Sequence, residues 1–493
     1  MSDSGRVVIE SLPTGIPGLD AVLGGGIPEY SFNLIAGAPG TGKTTLAQQI
    51  MFANATPERP ALHFTVLGEP AVKMLRYQQQ FDFFDLSRVG SEVFLLNLSD
   101  DVLQRSLDVV LERITAEVKA HNPSIVVVDS FRTVLIASQD GGKPAVMLEG
   151  EMQHFVQRLA LRLTNWEATT FLIGEYTETE SRNPVFTVAD GVFWLSNQIE
   201  RSSTVRKLQV SKMRGRSTMS GLHTFCIDSS GIQVFPRQFL GLPANRRRRS
   251  TERLRTGVAG LDEMMSGGVP KGDSIMIVGP TGTGKSILAT EFIAEGLRNG
   301  ERGVLAVFEE HPETYVARAE SLGFELGRWQ REGLLEIMYL HPLDLSVDET
   351  LERIARSVSE SGATRLVIDS LTGFEVALAP TFRADLRDSF YRLISAVTSL
   401  GVTVLSTMEL YDSGYSLQFT PHNVSFLTDD LIALRYVEIA GRLQKIVTVV
   451  KMRGSAHSTE LRRLDISSDG AEVGEVLSGF RGIITGVPEP SGG

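Results

Sequence analysis

The chain repeats itself once. Thr14-Gly15-Ile16-Pro17-Gly18-Leu19-Asp20 returns 242 residues later as Thr256-Gly257-Val258-Ala259-Gly260-Leu261-Asp262. The same shift carries Gly25-Gly26-Ile27-Pro28 onto Gly267-Gly268-Val269-Pro270 and Lys43 onto Lys285, and it holds without a gap to Pro70 and Pro312. Asp129-Ser130 then matches Asp369-Ser370 at a shift of 240, and Lys212-Met213-Arg214-Gly215 matches Lys451-Met452-Arg453-Gly454 at 239. Solenoid repeats run about 20–50 residues, so a period this long marks two copies of one domain. The expected domains are 1–236 and 256–480, with a linker over 237–255 and a short tail over 481–493. The linker holds Pro243, Asn245 and the run Arg246-Arg247-Arg248-Arg249, which reads as a solvated joint rather than a nucleic-acid patch. The Gly- and Pro-rich tail reads as flexible.

Within each copy, short apolar runs alternate with helical stretches. Strands are expected over 31–36, 62–67 and 125–128 in the first copy and over 274–278, 304–308 and 366–368 in the second. Unbroken apolar strands separated by helices imply a mostly parallel sheet with helices on both faces, an α/β fold. Residues 205–211 and 446–450 each follow an apolar run and a polar turn, which predicts an antiparallel hairpin at the sheet edge.

Each copy carries the pattern G-x-x-x-x-G-K-[ST] between an expected strand and an expected helix. Its candidate nucleotide-binding residues are Gly37, Gly40, Thr41, Gly42, Lys43, Thr44 and Thr45, and then Gly279, Thr281, Gly282, Thr283, Gly284, Lys285, Ser286 and Ile287. The glycines let backbone N–H groups turn inward around phosphate oxygens, and the next helix points its positive end at the same anion. The lysine reaches the terminal phosphates, and the Thr44 or Ser286 hydroxyl suits a Mg2+ ion. ATP with Mg2+ is the expected cofactor.

Asp129 follows Ile125-Val126-Val127-Val128, and Asp369 follows Leu366-Val367-Ile368. A carboxylate at the end of a buried strand beside a P-loop can hold magnesium through water. Hydrolysis or phosphoryl transfer also needs a group that deprotonates the nucleophile. In the second copy Glu309 and Glu310 follow the expected strand, and the repulsion between two adjacent carboxylates favours a proton-accepting role. The first copy has Leu67 and Gly68 there, with Glu69 one position further on. It is expected to bind nucleotide with an impaired or displaced base. The paired Lys-Met-Arg-Gly sequences end strands. Lys212, Arg214, Lys451 and Arg453 are therefore candidate phosphate contacts, offered from a neighbouring subunit as arginine fingers are.

Composition narrows the rest. Hydrophobic residues make up 42% and charged residues 22%, which is ordinary globular usage. A single cysteine, Cys226, excludes a disulfide framework and a Cys-rich zinc module. The net charge of −11 argues against broad nucleic-acid binding. No apolar run approaches the ~20 residues of a membrane span, and residues 1–10 lack a signal core, so a cytoplasmic protein is expected.

The double domain, the T-G-x-x-G-L-D openings, both P-loops, Glu309-Glu310, the Asp-Ser pairs and Lys-Met-Arg-Gly together resemble the KaiC family, circadian-clock ATPases and autokinases of the RecA-like superfamily. The resemblance spans nearly the whole chain. It implies two tandem RecA-like P-loop NTPase domains, a homohexameric double ring with ATP between subunits, and ATP hydrolysis in the first ring. It further implies serine/threonine autokinase and autophosphatase activity in the second ring, and a KaiB-like partner on the first. The family's adjacent phosphorylated serine and threonine fall on Ser425 and Phe426. Ser425 is thus the expected phosphosite, with Thr420 and Thr428 as alternative acceptors. The short tail argues against a KaiA partner. Two rival readings are a nucleotide-gated signalling scaffold and a DNA-handling RecA relative, the second disfavoured by the acidic balance.

Overall fold

The computed structural model describes residues 9–65, 71–99, 101, 107–130, 145–176, 184–200, 203–237, 250–340, 347–377, 386–410, 428–439, 441–468, 470–482 and 489–490. The chain divides into two compact units, Met1–Leu240 and Gly241–Gly493.

The strands of the first unit are β1 (Phe32–Gly37), β2 (Ala61–Thr65), β3 (Val93–Asn97), β4 (Ile125–Asp129), β5 (Thr169–Glu175), β6 (Gly191–Glu200), β7 (Ser203–Met213), β8 (His223–Asp228) and β9 (Gly231–Phe235). They form one sheet in the order β3-β2-β4-β5-β1-β6-β7-β8-β9. Pairing is parallel from β3 across to β6 and antiparallel from there to β9. Its helices include α1 (Lys43–Asn54), α2 (Leu107–His121) and α3 (Ala145–Asn165).

The valine-rich runs make the strands. Every residue of β1 and β4 is buried, as a parallel sheet covered on both faces requires. Alternate residues feed two cores. Ile35, Val127 and Ile173 pack with Leu46 and Ile50 of α1 on one face. Leu34, Val126 and Leu172 pack with Ile114 of α2 and Leu159 of α3 on the other.

The second unit repeats the plan. Its strands are β10 (Ser274–Gly279), β11 (Gly303–Val307), β12 (Leu335–Tyr339), β13 (Arg365–Asp369), β14 (Thr403–Glu409), β15 (Asp430–Ile439), β16 (Arg442–Met452), β17 (Arg462–Ser467) and β18 (Gly470–Val476). The order is β12-β11-β13-β14-β10-β15-β16-β17-β18, strand for strand that of the first unit. Its helices include α4 (Lys285–Arg298), α5 (Pro312–Glu320), α6 (Val347–Ser361) and α7 (Leu386–Ser399). Arg365 on β13 is 2% exposed. It donates to both Glu301 oxygens, to Arg255 O and to Phe292 O, and so ties the entry of the unit to α4 and β13. Removing one partner of such a buried pair typically costs about 3–5 kcal/mol.

Two expectations need correction. The hairpins β6–β7 and β15–β16 are not sheet edges, because a second hairpin follows each and β9 and β18 are the edges. Those added strands are short and joined by tight polar turns, so their apolar signal is weak. The end of the chain also folds back, with Phe480–Arg481 pairing antiparallel to Glu489–Pro490.

Candidate nucleotide sites

In both copies the chain leaves a fully buried strand, turns through five residues and enters a helix. Gly42 and Gly284, the residues before α1 and α4, have φ of 98° and 107°. Only glycine adopts this region without strain, and a Cβ there would also strike Ile227 or Ile466. Thr41 Oγ1 donates to Ala38 O and Thr283 Oγ1 to Pro280 O, each at 2.8 Å. These buried hydroxyls close the loop from within. Gly40, Thr281 and Gly282 form the exposed crest, and Thr45 and Ile287 are half-buried in the first helical turn.

Lys43 Nζ donates to Ala38 O at 2.7 Å, and Lys285 Nζ to Gly279 O and Pro280 O at 2.8 Å. Burial pulls both lysines below their ordinary range, and acids draw them part of the way back. For Lys43 these are Glu175 and Asp129, and for Lys285 they are Glu409, Asp369 and Glu309. Glu175 and Glu409 escaped the sequence reading. They pair in register with Gly37 and Gly279, the first P-loop residues. The available signal was an acid ending one more apolar run, at Phe171–Glu175 and Val404–Glu409.

Asp129 and Asp369 end the next strands over. Thr44 Oγ1 donates to Asp129 Oδ2 at 2.6 Å, which joins the hydroxyl and carboxylate expected to serve one cation. In the second copy Asp369 Oδ1 accepts from Thr407 Oγ1 on β14, and Ser286 lies half-buried at the start of α4. This donor set fits Mg2+ with phosphate. It is made of hard oxygen ligands beside a glycine cradle and a lysine. The peptides Asp129–Ser130 and Asp369–Ser370 are cis.

The Glu309–Glu310 pair separates. Glu309 Oε1 accepts from Ser370 Oγ at 2.8 Å, directly after Asp369. Glu310 instead receives two bonds from Arg318 of α5, and Arg318 lies 4.6 Å over the Tyr315 ring. Glu310 is thus held as an ion-pair partner, and of the two Glu309 is the one beside the Lys285 cradle. Leu67, Gly68, Glu69, Thr420, Ser425 and Phe426 lie outside the described residues. Thr428 is described and is fully buried.

The Lys-Met-Arg-Gly residues lie at the other end of the sheet from their own P-loops. Met213 pairs with Gly191, which pairs with Asn33, four residues before Gly37 and roughly 13 Å along the strand. The second copy has the same arrangement, with Met452 beside Asp430 and Asp430 beside Ile275. Lys212 Nζ donates to Phe186 O and Thr187 O, and Arg214 Nη1 to Asp190 Oδ1. Lys451 Nζ donates to Thr428 O, and Arg453 stands 4.0 Å from Asp429. Burial, and then the adjacent arginine, lowers both lysines, against the pull of Asp190 on Lys212 and of Asp429 and Asp430 on Lys451.

Two copies of one RecA-like sheet, each ending its central strand in a P-loop with a magnesium-type carboxylate beside it, define a tandem P-loop NTPase. The chain belongs to the KaiC family of ATPases, whose family model matches residues 12–238 and again 254–478. The circadian clock oscillator protein KaiC of Picosynechococcus sp. is 31% identical over 97% of this chain and 92% of its own length. That of Prochlorococcus marinus is 30% identical over 98% and 97%. KaiC 1 of Synechocystis sp. is 30% identical over 99% and 93%. Among the described residues no helix is long and apolar enough to cross a membrane.

Proposed function

We propose that the chain is a ring-forming, Mg2+-dependent ATPase whose second domain also phosphorylates the protein itself, in timing or signalling regulation of the kind its clock-protein relatives are named for. The domains are 1–236 and 256–480, and the expected assembly is a cytoplasmic homohexamer with a KaiB-like partner on the first ring. The observation that carries the ring is the placement of the Lys-Met-Arg-Gly motifs. Lys212, Arg214, Lys451 and Arg453 face away from their own P-loops, so a phosphate they meet belongs to another subunit.

When bound, Mg2+ would neutralise phosphate charge, held by Thr44 and Asp129 in one copy and by Ser286 and Asp369 in the other. The loop N–H groups and Lys43 or Lys285 grip the phosphates. In the second copy Glu309, aimed by Ser370, accepts the proton of the attacking hydroxyl, whether of water or of Ser425. Neighbouring Lys451 and Arg453 stabilise the charge that builds on the transferring group. The first copy, with Leu67 and Gly68 at the equivalent positions, turns over more slowly.

Native mass and phosphate release of the full chain with Mg-ATP, compared with Lys43→Ala and Lys285→Ala, test this reading. A hexamer is expected, with hydrolysis falling in both variants and self-phosphorylation lost in Lys285→Ala. A monomer with full hydrolysis overturns the ring. Undiminished phosphorylation in Lys285→Ala overturns the assignment to the second site.

A further inference from the structure

The two copies set a polar side chain behind their aspartates on opposite sides, and in the second copy it bonds the carboxylate directly. In the second copy the brace is the Thr407 hydroxyl, on the strand between β13 and the P-loop strand. The first-copy counterpart of Thr407 is Ile173, since Ile35–Ile173 and Ile277–Thr407 are equivalent pairs two residues before the P-loop. Ile173 has no donor. On the other flank of β4 stands His63 of β2, paired with Val127, and the equivalent position beside Val367 is Leu305. Each copy therefore has one polar residue and one apolar residue behind its aspartate, with the sides exchanged.

His63 is 1% exposed and sits on the apolar α1 face of the sheet. Gln48, one turn beyond Thr44 on α1, places its side-chain nitrogen 3.3 Å from His63 Nδ1. Nε2 lies 3.9 Å from Asp129 Oδ2, the oxygen that Thr44 engages, and has no hydrogen-bond partner among the described residues. A carboxylate only accepts, so the ring is favoured as the tautomer with Nδ1 facing the Gln48 amide and Nε2–H facing Asp129.

We infer that His63 is a positioning residue of the first nucleotide site, its Nε2 edge directed at the Asp129 carboxylate from 3.9 Å as a polar contact, where Thr407 holds Asp369 by a direct hydrogen bond. The inference rests on the reading that Asp129 serves magnesium. A groove-side carboxylate with no donor behind it turns more freely, and groups that orient such ligands typically change metal affinity about 10–100-fold when removed.

The test uses the full chain carrying Lys285→Ala, which leaves the first site to be read. Binding of a fluorescent ADP analogue is measured at graded Mg2+ and again in chelator, with melting curves alongside. His63→Leu installs the second copy's residue and is expected to raise the half-saturating Mg2+ about tenfold, with affinity in chelator unchanged. Adding Ile173→Thr restores the brace from the other flank and returns the Mg2+ requirement toward the parent value. His63→Gln, which keeps a side-chain N–H, stays near the parent. The proposal is overturned if His63→Leu leaves the Mg2+ requirement unchanged, if affinity falls equally in chelator, or if Ile173→Thr fails to restore it. Asp129→Asn separates the two readings. If it too leaves the Mg2+ requirement unchanged, the magnesium role of Asp129 fails. If it raises the requirement while His63→Leu does not, only the role of His63 fails.

Discussion

Arg318 grips Glu310 with two nitrogens, Nη2 to Oε2 at 2.7 Å and Nε to Oε1 at 3.3 Å, and so draws it away from Glu309. Two carboxylates adjacent in sequence therefore have different partners, and different roles are expected of them. Glu309→Gln is expected to slow turnover in the second domain by ~10²–10⁴-fold while nucleotide binding persists, because the phosphate cradle is untouched. Glu310→Gln should act mainly on stability, lowering it by about 0.2–1 kcal/mol as a half-exposed pair is weakened. Steady-state hydrolysis and melting of both variants check this. A larger kinetic loss from Glu310→Gln reverses the assignment.

Glu291 and Gln49 occupy equivalent places on the P-loop helices, yet only the amide is fully matched. Gln49 accepts from Ile232 N at 2.7 Å and donates to Ile232 O at 3.3 Å, whereas Glu291 only accepts, from Ala471 N at 3.3 Å. Burial pushes the Glu291 carboxyl above its ordinary range, against the pull of Ala471 N–H and Arg298. With the folded value raised, its stabilising contribution is full below the unfolded value of about 4.3 and is lost as pH rises through the folded one. Glu291→Gln should therefore stabilise the second unit by about 1 kcal/mol at neutral pH, with the gain shrinking toward pH ~4.3 as Glu291 itself takes a proton. Melting curves across that range test it, and a gain independent of pH counts against it.

Subunits carrying Lys451→Ala and subunits carrying Lys285→Ala should each hydrolyse and phosphorylate poorly in the second ring. Mixed, they should regain part of the activity, because some interfaces then pair an intact Lys285 with an intact Lys451. Phosphate release by the mixture, compared with the mean of the two parents, reads this out. No gain on mixing shows that Lys451 serves its own subunit.

Incubation with Mg-ATP should label Ser425, and Ser425→Ala should remove most of the label. A phosphoserine brings roughly −1.5 to −2 charges and three strong acceptor oxygens, enough to recruit cations such as Arg435 or a neighbour's Arg453. The buried position of Thr428 makes it a poor rival acceptor. Phosphosite mass spectrometry decides the matter. Undiminished labelling in Ser425→Ala moves the role to a threonine.

The sequence alone determined the tandem plan, the two P-loops, the strand-end aspartates and the Lys-Met-Arg-Gly pair. Those features are legible because their chemistry is local. Eight consecutive residues make a phosphate cradle, and a valine-rich run ending in aspartate describes both the strand and the carboxylate on it. Only the tertiary structure decided how those pieces are flanked. The order β3-β2-β4-β5-β1 sets Glu175 beside Gly37 and His63 beside Val127, residues separated in the chain by 138 and 64 positions. It also decided which end of the sheet Lys212 and Lys451 occupy, which follows from antiparallel pairing next to a parallel strand. The splitting of Glu309 from Glu310 needed α5 in place to present Arg318. Strand order and register are set by long-range packing of two apolar faces at once, and a linear pattern carries the periodicity of those faces but not the identity of the neighbours across them.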